Sequence, residues 1–513
     1  MTVALTDQFE ILAQRLAATS RPGITDINAA TDFAIDANAV GRADLAIAVL
    51  EPLAACVSTH VKVWQMLGLA YREEQRMGEA ASAFDRAAKL SPQDVRIALG
   101  KAQIALETGK PAAEQFSRIR QIAGDDYQLA LSTADAVQSE GKADEAAALL
   151  DDMLRRHPDW VAGHEALVRL RTIMGKSDPF KSFADAAIVA PQDAALRIAW
   201  IRALAQQDRW EAAKTTLEDM RGSFGDLPQL DAVAAYLATE TGDHDVAQSL
   251  FERTASLDDP GIILYRIRHC LRTGRVDQAA TFGEALVKAP AANVVWPYLS
   301  LAWRLLDDDR ARWLDGDPPY VRVTDLGFSN AELTDLATLL RQLHTAREHL
   351  PEQSVRGGTQ TDKPLFHRLD PEIQHLREQV LESVRNYVDA LPPCDAAHPL
   401  LDTPRGNLLF EGSWSVRLRA QGFHTMHTHP AGWISSALYI SLPDKAAMGA
   451  PPAGWLDLGS PPPELGLDVG GYAQVEPKPG RLVLFPSTMW HGTVPFNDGE
   501  RLTVAFDVRR PVR

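Results

Sequence analysis

Cysteine is scarce in this sequence: Cys56, Cys270 and Cys394 lie far apart in a chain of 513 residues, with no Cys-x-x-Cys spacing. That leaves no disulfide framework and reads as three small hydrophobes in a reducing compartment, so a cytoplasmic protein is expected. Long apolar runs are missing too. No stretch approaches the roughly 20 residues that span a bilayer. The start lacks the basic residues and unbroken apolar run of a signal peptide, since Met1 to Leu16 alternate polar and apolar around Asp7 and Glu10. Positive charge is in deficit, with 52 Lys and Arg against 68 Asp and Glu and a net charge of −16. That balance argues against nonspecific binding to nucleic acid or to an anionic membrane. What remains is 45% hydrophobic and 23% charged, as in globular proteins, at a length that calls for two or three domains.

The first three hundred residues carry a repeat. Trp64, Leu67, Gly68, Tyr71, Ala80, Phe84 and Pro92 fall at the spacing W-x2-L-G-x2-Y, A-x3-F, P of the tetratricopeptide repeat. Gly68 and Ala80 are small where two antiparallel helices cross, the aromatics fill the space between helices, and Pro92 stops the second helix. Weaker copies keep the beat: Ala46 and Leu50; Ala112 and Phe116; Ala146, Leu150 and Pro158; Ala213 and Leu217; Ala247, Phe251 and Pro260. Pro158 and Pro191 stand one period apart. Gly41, Gly78, Gly109, Gly141, Gly242 and Gly274 are expected at turns within pairs. About eight helical hairpins over residues 27 to 305 follow, stacked as a right-handed all-α solenoid. Its groove would take a protein or peptide partner, or the array would brace the chain and pair copies into a homo-oligomer. His157, His164 and His244 have no partners at ligand spacing and are expected at the surface.

Residues 306 to 326, acid-rich with Gly316 and Pro318-Pro319, break the beat and mark a linker between a solenoid of residues 1–305 and a domain of residues 327–513. Helices are expected from Asn330 to Leu350, capped by Ser329 or Asn330, and from Pro371 to Leu391. Ser354 to Phe366 is expected as a Gly/Thr-rich loop. From Gly406 the texture turns aromatic and β-branched, and strands are expected.

On a strand, His427 and His429 share a face and His424 points elsewhere. A third histidine, His491, follows the strand beginning after Gly480. In RLTVAFDV, Arg501, Thr503, Ala505 and Asp507 take one face and Leu502, Val504, Phe506 and Val508 the other. A double-stranded β-helix, or jelly-roll, places two ligands on one strand and a third near the opposite end. Three imidazoles suit ferrous iron and leave positions open for a chelating cosubstrate. A buried arginine makes sense where it clamps a carboxylate, with Thr503 adding a hydroxyl. A cupin-like metal sensor without chemistry, and a degenerate barrel beside a working repeat scaffold, fit the same pattern.

SVRGGTQT (Ser354 to Thr361), GSWSVRL (Gly412 to Leu418), GFHTMHTHPAGWISSALYISLP (from Gly422) and GRLVLFPSTMWHGTVPF with RLTVAFD make residues 320 to 510 resemble a family of 2-oxoglutarate- and Fe(II)-dependent oxygenases fused behind tetratricopeptide repeats. The resemblance implies an oxidoreductase that turns 2-oxoglutarate into succinate and carbon dioxide while hydroxylating a substrate, with ascorbate as a supporting reductant. It places His427, His429 and His491 on the metal and Arg501 on the C5 carboxylate of 2-oxoglutarate. Tyr439 and Trp414 are candidate lining residues, or core aromatics. Most of the superfamily has a carboxylate where His429 stands, and Asp457, Glu464 or Asp468 are the carboxylates of the intervening loop. That loop, Asp444 to Pro479, is a lid over a large substrate or a passive insertion.

Overall fold

A computed structural model describes residues 26–124, 126–225, 227–289, 292–346 and 353–511. The opening segment through Leu16 and residues 347–350 of the expected helix lie outside them.

Among the described residues, eight helix pairs and a closing single helix occupy residues 27 to 305. They are α1 (Ile27–Ala39) with α2 (Ala43–Cys56), α3 (Val61–Glu73) with α4 (Met77–Leu90), and α5 (Val95–Glu107) with α6 (Ala113–Ala123). Next come α7 (Tyr127–Ser139) with α8 (Ala143–Arg156), α9 (Val161–Ile173) with α10 (Lys181–Val189), and α11 (Ala194–Ala205) with α12 (Trp210–Phe224). Then follow α13 (Pro228–Thr241) with α14 (His244–Arg253), α15 (Pro260–Arg272) with α16 (Val276–Leu286), and α17 (Ala292–Leu305). Asp26, Asp94, Asp126, Asp193 and Asp259 cap first helices by accepting backbone N–H bonds.

Two compact units divide the chain: one runs to Leu149 and includes Lys363–Arg377, and the other holds Leu150–Asp362 and Glu378–Arg510. In the first, the Phe84 ring explains the small residues of the motif. A Cβ on Gly68 would lie 2.7 Å from that ring and one on Gly100 2.2 Å from it. Gly41, Gly109 and Gly141 have positive φ at their turns, but Gly78 does not mark one. It lies in the first turn of α4, and Gln75 takes the left-handed position with φ 57°. The segment from Lys363 belongs to this unit: Lys363 pairs with Asp135, and Leu369 packs on the core containing Leu67 and Phe84.

The second unit carries the later repeats and the sheets. His164 is buried rather than at the surface, stacked on Phe183 at 4.8 Å with Nε2 3.0 Å from the Pro158 carbonyl. Pro260 starts α15 instead of ending a helix, since its missing N–H costs nothing at that position. After α18 (Arg310–Asp315) come β1 (Arg322–Asp325) and α19 (Asn330–Leu343), which starts at a Ser329–Glu332 capping box. β2 (Val355–Gln360) lies where a loop was expected. Its glycines hide the strand pattern, but backbone pairing to β3 (Phe410–His424) holds it, and Gly357 has φ 67° where the register shifts. α20 (Pro371–Asp389), whose first turns to Arg377 belong to the first unit, buries Ile373 and Leu376 there and Val380, Val384, Tyr387 and Val388 in the second.

The remaining strands are β4 (Gly432–Ser441), β5 (Leu456–Leu458), β6 (Ala473–Val475), β7 (Arg481–Pro486), β8 (His491–Thr493) and β9 (Arg501–Arg509), with the short helix α21 (Lys445–Met448) after β4. One antiparallel sheet has the order β1-β7-β4-β9-β3-β2 and the other β6-β5-β8, the two-sheet architecture of a jelly-roll. β9 buries the apolar Leu502, Val504, Phe506 and Val508 and, on its other face, Arg501, Thr503 and Asp507. Polar side chains on a doubly buried central strand mark the interior where chemistry is expected.

The Pro-rich stretch from Asp444 to Pro479 supplies β5 and β6, so its middle is sheet. α17 holds it down. Arg304 donates to the Gly459 carbonyl at 2.6 Å and to the Gly470 carbonyl, and its guanidinium lies 4.2 Å from the Tyr472 ring centre. No helix among the described residues is long and apolar enough to cross a membrane.

Candidate metal and carboxylate site

β3 ends at His424, and His427 and His429 follow it outside the strands rather than on one. Backbone bonds keep both in line. His427 and His491 exchange N–H···O bonds of 3.0 Å in each direction, and the His429 N–H reaches the Ser487 carbonyl at 2.9 Å. The three imidazoles thereby converge, with one potential ligand atom from each within 4.8 Å of the others. Ring centres are 4.2 Å apart for His427 and His491 and 5.0 Å for each of the other two pairs.

Hydrogen bonds fix which nitrogen faces inward. His427 Nδ1 lies 2.7 Å from the Thr425 carbonyl, His491 Nδ1 3.0 Å from the Met489 carbonyl, and His429 Nδ1 2.6 Å from Asp507 Oδ2. Carbonyl and carboxylate oxygens only accept, so each Nδ1 carries the proton and each Nε2 keeps a lone pair. That donor set fits a divalent metal. In the structure the Ser354 hydroxyl lies 3.1 Å from His427 Nε2.

Burial, then the neighbouring His429, brings the His427 pKa down to about 3, and burial holds His491 well below the ordinary histidine value. Both are neutral at physiological pH, as ligands must be. At His429 burial also disfavours the charge, but the Asp507 carboxylate more than offsets it and the pKa rises. His424 faces Thr493 instead, Nδ1 to Oγ1 3.1 Å, with its ring 6.0 Å from that of His427.

Arg501 is the largest fully buried side chain among the described residues. Its Nε and Nη1 meet no hydrogen-bond partner there, and neither does the buried Tyr439 hydroxyl. The guanidinium lies 4.9 Å from the Tyr439 ring centre. Burial lowers the Arg501 pKa and raises that of Tyr439, and each group is the other's nearest electrostatic partner. A buried cation with unmet donors is costly unless an anion completes it. Thr503 is buried two residues along the strand, opposite Tyr439. Trp414 lies 5.4 Å from the His429 ring and Phe485 4.7 Å from that of His491.

The family described as "Putative 2OG-Fe(II) oxygenase" matches residues 412–507, and the tetratricopeptide repeat matches residues 31–95 and 66–121. Family models thus show tetratricopeptide repeats in the first part of the chain and a 2OG-Fe(II) oxygenase domain over residues 412–507. Among solved structures it is similar to a tetratricopeptide repeat protein from Parabacteroides merdae, at 12% identity over 50% of this chain and 90% of that one, TM-score 0.31. It is also similar to a Pseudomonas putida prolyl-4-hydroxylase, at 17% identity over 37% and 93%, TM-score 0.27. A third is YrrB, a repeat protein with an unusual peptide-binding site, at 14% identity over 35% and 91%, TM-score 0.29. No curated protein matches the chain.

Within the oxygenase-family domain, none of the loop carboxylates joins the histidines. Asp457 instead accepts from Ser460 at 2.6 Å and Gln474 at 3.3 Å, and the ligand group found among the described residues is His427, His429 and His491. Two residues escaped the sequence reading. Asp507 was legible only as a face-mate of Arg501. Trp490 had no signal beyond standing next to His491. It enters the core of the last repeats, T-shaped against Tyr298 at 5.4 Å, with Nε1 donating to the Pro297 carbonyl at 3.0 Å. Asn293 of the same helix donates to the Pro430 carbonyl at 3.0 Å, one residue beyond His429.

Proposed function

We propose that this protein is a 2-oxoglutarate- and Fe(II)-dependent dioxygenase that hydroxylates a protein or peptide side chain in the cytoplasm. One observation carries the reading: a buried arginine with unmet donors shares the domain interior with three converging imidazole lone pairs. A metal sensor needs the histidines alone; the arginine asks for a carboxylate as well.

In this reading residues 327–513 are the catalytic module, behind repeats of residues 1–305 and a joint of residues 306–326. His427, His429 and His491 hold Fe(II) through Nε2. Arg501, with Thr503 and Tyr439 beside it, binds the far carboxylate of 2-oxoglutarate in a charge-assisted pair. When bound, iron and 2-oxoglutarate supply the oxidative decarboxylation and oxygen transfer. The Nδ1–H bonds hold the three rings aimed and burial keeps His427 and His491 neutral, while Phe485 and Trp414 lie against two of the rings. Repeats of this kind generally mediate protein interaction, so they are the element that would bring the substrate. Ascorbate would serve as a reductant keeping iron ferrous. Purified protein given Fe(II), ascorbate and 2-oxoglutarate should release succinate, slowly even without substrate. No succinate above a metal-free control contradicts the proposal.

A further inference from the structure

Among the three histidines, His429 is oriented differently. His427 and His491 donate from Nδ1 to backbone carbonyls, which are neutral, whereas His429 donates to a carboxylate. That carboxylate is built in. Asp507 is 7% exposed on the central strand β9, its Oδ2 is 2.6 Å from His429, and its Oδ1 accepts from Ser435 at 2.6 Å. The Ser435 hydroxyl lies 2.9 Å from that of Ser487, whose carbonyl holds the His429 N–H. Gly432 leaves the space this needs, because a Cβ there would stand 2.6 Å from the Ser487 hydroxyl and 3.1 Å from Asp507 Cβ.

We propose that Asp507 is the carboxylate of this metal centre set one group outward, a positioning residue that lends its charge to the metal through His429. The inference rests on the metal reading of the site. A metal bound by two imidazoles and a carboxylate has one negative charge among its ligands, and three imidazoles have none. Hydrogen-bonding an imidazole N–H to a buried carboxylate makes the opposite nitrogen a stronger donor. Asp507 thus restores, through the ring, the charge that His429 omits. It fixes the tautomer at the same time. Two neutral donors and one charge-backed donor also make the ligand set asymmetric.

The test compares wild type with Asp507→Asn and Asp507→Glu in the full chain. Asparagine keeps the volume and an accepting oxygen but drops the charge, and glutamate keeps the charge. Fe(II) affinity is read by competition with a chelator, the Fe(III)/Fe(II) potential by electrochemical titration, and folding by the melting temperature without metal. Asp507→Asn should lose about 10- to 100-fold in affinity and move the potential upward, and glutamate should recover part of both. If Asp507→Asn binds iron as tightly as wild type at an unchanged potential, the proposal is overturned, whatever happens to the melting temperature. A wild type that takes up no iron contradicts the metal reading beneath it.

Discussion

Arg501 and the three histidines are polar groups whose burial costs stability unless something completes them. His427→Ala or His491→Ala removes a lone pair that no other side chain of the ligand group replaces. Iron loading should fall from one equivalent to background in either variant, checked by metal analysis of the folded protein. His344 is a half-buried imidazole in this domain, with Nδ1 2.8 Å from the Thr359 hydroxyl and Nε2 3.0 Å from that of Ser415. Burial, then the nearby Arg417, brings its pKa from 6.5 down to about 4. The folded state therefore binds this proton less readily than the unfolded chain. Its contribution to stability is complete above pH 6.5 and is lost as pH falls towards about 4. His344→Gln should flatten that slope, so the drop in urea midpoint from pH 7 to pH 5 should be smaller than in wild type.

At the scale of elements, the contact that sequence could not reveal is the one between α17 and the residues flanking His429 and His491. Trp490 fills a gap among Tyr298, Pro297 and neighbours from the last repeats. Trp490→Ala should cost about 3–5 kcal/mol as a buried aromatic truncation, and Trp490→Phe about 1 kcal/mol for the lost N–H bond. Chemical denaturation of the full chain measures both, and equal costs would contradict the geometry. The repeats were legible because helix crossing demands small residues at fixed offsets, as Gly68 and Ala80 show. So were β7 and β9, whose patterns survive burial on both faces. β2 was not, because Gly357 and Gly358 carry no side-chain pattern and the strand exists through its partner β3. β5 and β6 were hidden among prolines for the same reason: Arg304, far away in sequence, holds the loop that contains them.

For the whole molecule, the second unit joins the later repeats to the sheets through one apolar cluster that includes Trp296, Trp303, Leu465 and Trp490. A fragment of residues 327–513 would expose the domain side of that cluster, whereas one of residues 260–513 keeps α15 to α17 against it. The shorter fragment should melt lower or aggregate, and equal melting temperatures would show that the sheets stand without the repeats. The chain order of the strands gave reason to group His427, His429, His491 and Arg501, and the three imidazoles converge while Arg501 is buried. The charge partner of His429 was not readable in that order, because residues 429 and 507 meet only once β9 lies in the centre of the sheet. Calorimetric titration of 2-oxoglutarate onto Fe(II)-loaded protein under anaerobic conditions bears most directly on the reading as a whole. Wild type should bind one equivalent, and Arg501→Ala should bind about 10- to 100-fold more weakly, as expected for loss of a charge-assisted pair, while keeping its iron. Absent binding in wild type, or unchanged affinity in Arg501→Ala, would contradict it.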